Sequence, residues 1–184
     1  MKNYLIILLL IGIVFSCEQS EAPTENFEQS QLDNVLKLRG QVQRDAYILL
    51  DSPLKYKVWV NKLTNVKTTL NEEQIKVVNN LLDILSPDFF EKNNENNTKY
   101  VSKIEDWLLS SKKVFNKHQF LSTFVSINYS RDIGDPDPID EEGCSCNHSE
   151  DYCWFSDCTG SKCEDTYTGC GLLWNSSCNG TCED

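Results

Sequence analysis

The sequence predicts a mostly α N-terminal helical domain followed by a small, disulfide-rich, loop-rich C-terminal module. Three observations carry this prediction. Apolar residues recur at helical spacing from about residue 30 to residue 130. Eight of the nine cysteines fall within residues 143–184. Between the two regions runs RDIGDPDPIDEEG, Arg131–Gly143, whose two Asp-Pro steps push the preceding residues to extended backbone.

The segments, in order, are an export signal at 1–16, a tether at 17–30, a helical domain at 31–130, an acidic Pro-containing linker at 131–142 and the cysteine-rich module at 143–184. The signal begins with Lys2 and an apolar run from Leu5 to Phe15, too short to span a bilayer but suited to the apolar core of a secretory signal. Val14-Phe15-Ser16-Cys17 resembles the bacterial lipobox, in which the cysteine receives the lipid. That resemblance implies that Cys17 becomes an acylated N-terminus, its chains held by about 0.8 kcal/mol per buried CH₂. An ordinary signal peptide is the alternative. An odd cysteine in an exported chain calls for a separate role. Lipid on Cys17 leaves eight cysteines, an even number. The polar EQSEAPTENFEQSQ that follows reads as a flexible tether. Its acidic start loosely resembles the surface-export signal of some Bacteroidota lipoproteins, which leans the expected location to the outer membrane.

Within the helical domain, Leu32, Val35, Leu36 and Val42 suggest a first helical region, interrupted or ended near Gly40. Ser52-Pro53 opens a second segment, with Pro53 suited to the first helical position and Leu54, Val58, Trp59 and Leu63 as its buried face. Asn71-Glu72-Glu73-Gln74 has the form of a capped helix start, followed by the stripe Ile75, Val78, Leu81, Leu82 and Leu85. Val101, Ile104, Leu108 and Phe115 form a third stripe, with Trp107 beside it. Ser86-Pro87 and the Asn-rich Glu91–Lys99 read as connectors, and Phe120–Tyr129 fits helix or strand. Trp59 and Trp107 are expected in the core, and His118, with no predicted partner, on the surface. The domain has no nucleophile elbow, phosphate loop or His-Glu metal pattern, so an enzyme is not expected.

Charge divides along the chain. Residues 1–130 carry 15 basic and 15 acidic side chains, whereas 131–142 are net −5 and 143–184 net −6, so the whole charge of −11 lies beyond residue 130. An acidic end argues against nucleic acid, whose phosphates need Lys and Arg, and against adsorption to anionic lipid. The membrane is expected as a partner only through the lipid on Cys17. Asp135, Asp137 and Asp140 lack the glycine and terminal Glu of a calcium loop, and the linker reads as exposed and open to proteases.

The module's cysteines are Cys144, Cys146, Cys153, Cys158, Cys163, Cys170, Cys178 and Cys182. Forty-two residues bury too little apolar area to fold unaided. Four disulfides, each contributing about 2–4 kcal/mol, would supply the difference. Eight cysteines allow about a hundred pairings, and strain in so small a ring excludes Cys144 with Cys146, leaving about ninety. Cys144, Cys146 and His148 could offer zinc three ligands, but paired CxxC units are absent from the sequence, so no metal and no cofactor is expected. Turn formers between the cysteines predict loops with at most short strands or a helical turn.

Cys144-Ser145-Cys146, Asp151-Tyr152-Cys153, Thr168-Gly169-Cys170-Gly171, Trp174 and a closing Cys/Asn-Gly element together resemble the bacteriocin fulvocin C-related family. The resemblance covers about 40 residues closely and the helical region by layout. It implies that residues from about 143 to 184 carry antibacterial activity, with the helical region as carrier or inhibitor and cleavage in the acidic linker as the route of release. Against this stands an uncleaved surface lipoprotein whose module binds a partner through Trp154, Phe155 and Trp174. Under either reading the partner is an unidentified bacterial target or surface protein. The charge of the module makes direct membrane disruption the least expected mechanism.

Overall fold

The computed structural model describes residues 24–91, 94–128, 146–147, 158–160 and 166–182. The expected lipid site at Cys17, the linker 131–142, contact residues Trp154 and Phe155, and Cys144, Cys153 and Cys163 lie outside the described residues, as does the side chain of Cys182.

The architecture is the expected one: α-helices, then a small strand region containing disulfides. The helices are α1 (Thr24–Lys37), α2 (Gly40–Ile48), α3 (Ser52–Val66), α4 (Glu72–Ile84), α5 (Asn94–Ser111) and the short α6 (Lys117–Phe120), which runs on into a π-helical turn at Leu121–Val125. A 3₁₀ turn at Pro87–Phe90 links α4 and α5.

Local chemistry accounts for the boundaries. Asp51 caps α3 by accepting from the Leu54 amide at 2.9 Å, and proline occupies the first turn. Asn71 and Gln74 form a capping box on α4, as the sequence predicts, and Asn116 and Gln119 form a second on α6. The two boxes touch, since Gln74 Nε2 donates to Gln119 Oε1 at 3.3 Å. The second box resolves the helix-or-strand ambiguity after Phe120 in favour of helix. Phe120 and Phe124 then face Trp107 and Phe115 in an aromatic cluster.

Three sequence expectations are corrected. Val42 is exposed, because α2 turns Gln43 and Tyr47 to the core instead. Gln43 is accommodated there by hydrogen bonds: its Nε2 donates to Val35 O at 2.7 Å, and its Oε1 accepts from Asn128 Nδ2 at 2.8 Å. On α5 the buried line is Tyr100, Ile104, Trp107 and Ser111, while Val101 is exposed. The Trp107 indole donates to Val77 O at 2.8 Å, which fixes the rotation of α5 against α4. Lastly, α5 starts at Asn94, so the Asn-rich connector is much shorter than Glu91–Lys99.

The central helix is α3. It packs against α1, α4 and the Pro87–Phe90 turn, burying Leu54, Val58, Trp59, Leu63 and Val66. Trp59 and Trp107 are core residues and His118 is exposed, as expected.

Among its described residues, the C-terminal region holds four short strands: β1 (Cys158–Gly160), β2 (Thr166–Cys170), β3 (Ser176–Cys178) and β4 (Gly180–Cys182). They form two antiparallel pairs, β1 with β4 and β2 with β3. A 3₁₀ turn at Leu172–Trp174 joins β2 to β3.

Candidate functional site: the turn that enters the helical core

Among the described residues, two disulfides organise the module. Cys146–Cys158 ties the start of the module to β1, and Cys170–Cys178 closes β2 onto β3. Cys146 pairs elsewhere than with its close neighbour Cys144, as ring strain requires, and its sulfur is committed to a disulfide. Cys146 also bridges to Gly180, its amide donating to Gly180 O at 3.1 Å and its carbonyl accepting from the amides of Asn179 and Gly180. Gly180 is pressed against this bridge. A Cβ there would lie 2.5 Å from Cys158 Sγ and 2.7 Å from Thr159 O. Asn147 Nδ2 donates to Ser177 O and Ser177 Oγ, both at 2.9 Å, adding a polar tie between the ends of the module.

The loop closed by Cys170–Cys178 contains Gly171-Leu172-Leu173-Trp174-Asn175. Sequence reasoning makes Trp174 an exposed contact residue. The structure corrects this: Leu172, Leu173 and Trp174 are 1%, 0% and 3% exposed and belong to the same apolar core as α1–α6. The reason lies in the backbone. Gly171 adopts φ 72°, and Leu173 and Trp174 adopt φ 55° and 52°, so the chain doubles back and points its side chains into the helices. The left-handed conformation costs a residue with a Cβ about 1–2 kcal/mol. It persists where surrounding contacts over-determine it.

Those contacts come from three separate places on the helical domain. Tyr47 of α2 donates from its hydroxyl to Leu173 O at 3.2 Å. Val125, in the π-helical turn, accepts from Trp174 Nε1 at 2.6 Å. Phe89, in the turn between α4 and α5, accepts from Asn175 Nδ2 at 2.8 Å. The Trp174 ring meets Tyr47 edge-on, with centroids 5.4 Å apart, and Trp59 likewise at 6.2 Å. Such edge-to-face pairs contribute about 0.5–1.5 kcal/mol beyond area burial. The Arg44 guanidinium lies 5.6 Å from the Trp174 centroid, a cation–π distance.

Tyr47 is held in place for this role. Trp59 Nε1 donates to its hydroxyl at 3.0 Å, leaving the Tyr47 proton to point at Leu173 O. Burial pushes the Tyr47 hydroxyl far above its ordinary ionisation range, and the Trp59 hydrogen bond acts in the opposite direction. Tyr47 is therefore a neutral donor throughout the physiological range.

The module that the sequence sets apart is thus, in its Leu172–Trp174 segment, an integral part of the helical core. The sequence contains a signal for this seam. Leu172-Leu173-Trp174 is the longest run of large apolar residues in the module, and Gln43 and Tyr47 lie at helical spacing on α2, with Leu50 just beyond its end.

Among the described residues, no group of three or more His, Cys, Asp or Glu side chains is placed to hold a metal ion. The arrangement is a shaped turn packed among Tyr47, Trp59 and the rest of the helical core. Disulfide bonding and cysteine richness are compatible with an exported protein, and no described helix is long and apolar enough to cross a membrane. Comparison of the chain with protein-family models, curated proteins and solved structures yields no match.

Proposed function

We propose that this chain is an exported lipoprotein, carried by lipid on Cys17 at the outer membrane or cell surface of a Gram-negative bacterium, that keeps its disulfide module attached and binds a partner with it. The observation that carries this reading is the burial of Leu172, Leu173 and Trp174 in the helical core. Withdrawing three such side chains into water costs about 1.5–3 kcal/mol each. The sum approaches the entire stability of an ordinary domain, about 5–15 kcal/mol. A module released by cutting the linker would carry that apolar surface with it. With Trp174 buried, partner contact falls to other residues of the module, Trp154 and Phe155 among them.

The released bacteriocin is the second reading, favoured by the Asp-Tyr-Cys and Thr-Gly-Cys-Gly cysteine pattern. In it the helical domain is a carrier that covers the apolar turn until release. Immunoblotting of the native host with an antibody to the C-terminus tests the choice. A full-length, membrane-associated band is expected. A small soluble C-terminal fragment in the medium would overturn the attached reading.

A further inference from the structure

We infer that the helical domain is itself a receptor whose ligand is the Leu172–Asn175 turn, and that this contact holds the module in place without the covalent linker. The geometry has the features of peptide recognition. Hydrogen bonds from three elements distant in sequence converge on Leu173, Trp174 and Asn175. Two read side-chain donors of the turn through backbone carbonyls, and one reads the turn's own backbone through Tyr47. A buried indole that meets two aromatic rings edge-on is the kind of anchor that dominates protein interfaces.

Both sides are pre-shaped. The Tyr47 hydroxyl is oriented by Trp59 from within the helical domain. The turn lies inside the loop closed by Cys170–Cys178, so its ends are already joined before it docks. Pre-organisation of this kind reduces the ordering cost of binding. In the intact chain the linker raises the effective concentration of the turn at the cleft. Cutting the linker removes that advantage and leaves the contacts of Leu173, Trp174 and Asn175 with Tyr47, Val125 and Phe89.

The test uses the full chain with a specific protease site placed within residues 131–142, oxidised, cut to completion and run on a sizing column without reductant. Co-elution of the two fragments as one body is expected. Their separation at micromolar concentration would overturn the inference. The same cut is made in Trp174→Ala and in the milder Asn175→Ala and Tyr47→Phe, each first checked for far-UV circular dichroism and full oxidation. Trp174→Ala should dissociate more than about a hundredfold faster than the parent, and the milder variants about tenfold. If Trp174→Ala does not fold, the two milder variants decide the matter. Retention unchanged across the folded variants would show that other contacts hold the module, and would equally overturn the inference. This experiment asks whether a cut chain stays together, whereas the immunoblot asks whether cells cut it, so the two readings fail independently.

Discussion

The indole N–H of Trp174 donates to the carbonyl oxygen of Val125 at 2.6 Å, joining residues 49 apart in sequence. Val125 ends the π-helical turn that follows α6, a place where the carbonyls have left the regular helical ladder. The irregular end of the helical domain and the irregular turn of the module therefore satisfy each other. Replacing Trp174 with Ala should lower unfolding stability by about 3–5 kcal/mol, the cost of emptying a large aromatic site. Trp174→Phe keeps most of the bulk and should lose less. Urea denaturation followed by circular dichroism measures both, and equal stability of all three proteins would contradict the seam.

Burial of the disulfide sulfurs has a kinetic counterpart. Cys170 and Cys178 are 2% and 3% exposed, so a reductant reaches them only after local opening. Under native conditions, alkylation of the thiols released from this pair should be slow in the parent. In Trp174→Ala, which loosens the turn between the two cysteines, it should be at least about tenfold faster. Mass spectrometry of iodoacetamide-trapped samples over time provides the rates.

Gly180 should tolerate no side chain. Its replacement by Ala places a methyl 2.5 Å from Cys158 Sγ and 2.7 Å from the Thr159 carbonyl. The second obstacle is backbone in the paired strand β1, so relief requires the β1–β4 pairing to shift. A loss of about 1–3 kcal/mol is expected, with slower formation of Cys146–Cys158 during oxidative refolding. A peptide map showing that bridge formed at the parental rate would count against this packing.

Alkaline pH tests Tyr47. Its folded ionisation lies above the unfolded value, which is 10.0. The neutral form is thus favoured by folding, and that contribution is complete below pH 10. As pH rises past the unfolded value, the unfolded chain loses a proton the folded chain keeps, and stability falls with a slope that approaches about 1.4 kcal/mol per pH unit well above it. Tyr47→Phe should therefore lose about 1 kcal/mol less than the parent between pH 10 and 11, measured as the difference in urea midpoints. Parallel slopes would place the Tyr47 hydroxyl in water.

The two capping boxes offer a test of coupling. Asn71→Ala and Asn116→Ala should each cost about 1 kcal/mol. Because Gln74 Nε2 contacts Gln119 Oε1 at 3.3 Å, the double variant should depart from additivity by about 0.5 kcal/mol. A strictly additive cycle would mean that the boxes act alone.

Much of the helical domain is legible in the sequence because its signals are local. Asn71 to Gln74 spans a single turn, and Leu54, Val58, Trp59 and Leu63 repeat with the helical period. The second box, Asn116-Lys117-His118-Gln119, carries the same spacing as the first and is readable by the same rule. Where a polar side chain occupies a core position, the period misleads. Gln43 is buried only because Val35 and Asn128 complete its hydrogen bonds, and Val42 beside it is left in water. The seam is the least legible part. Cysteine density marks the module as needing cross-links, which is correct. Nothing local, however, distinguishes an apolar turn that faces solvent from one that enters a neighbouring core. The deciding contacts lie far apart, as between Tyr47 and Leu173, 126 residues distant.

That distance bears on how the molecule is made. Synthesis proceeds from the N-terminus, so α2 and α3 emerge well before residues 172–175. Until those residues arrive, Tyr47 and Trp59 lack the aromatic partner that closes their site. A copy truncated near residue 170 would be hollow at its centre, not merely shortened at its edge, and should be a preferred target for proteolysis. Arrival of residues 172–174 therefore completes the core of the helices and not only the edge of the module.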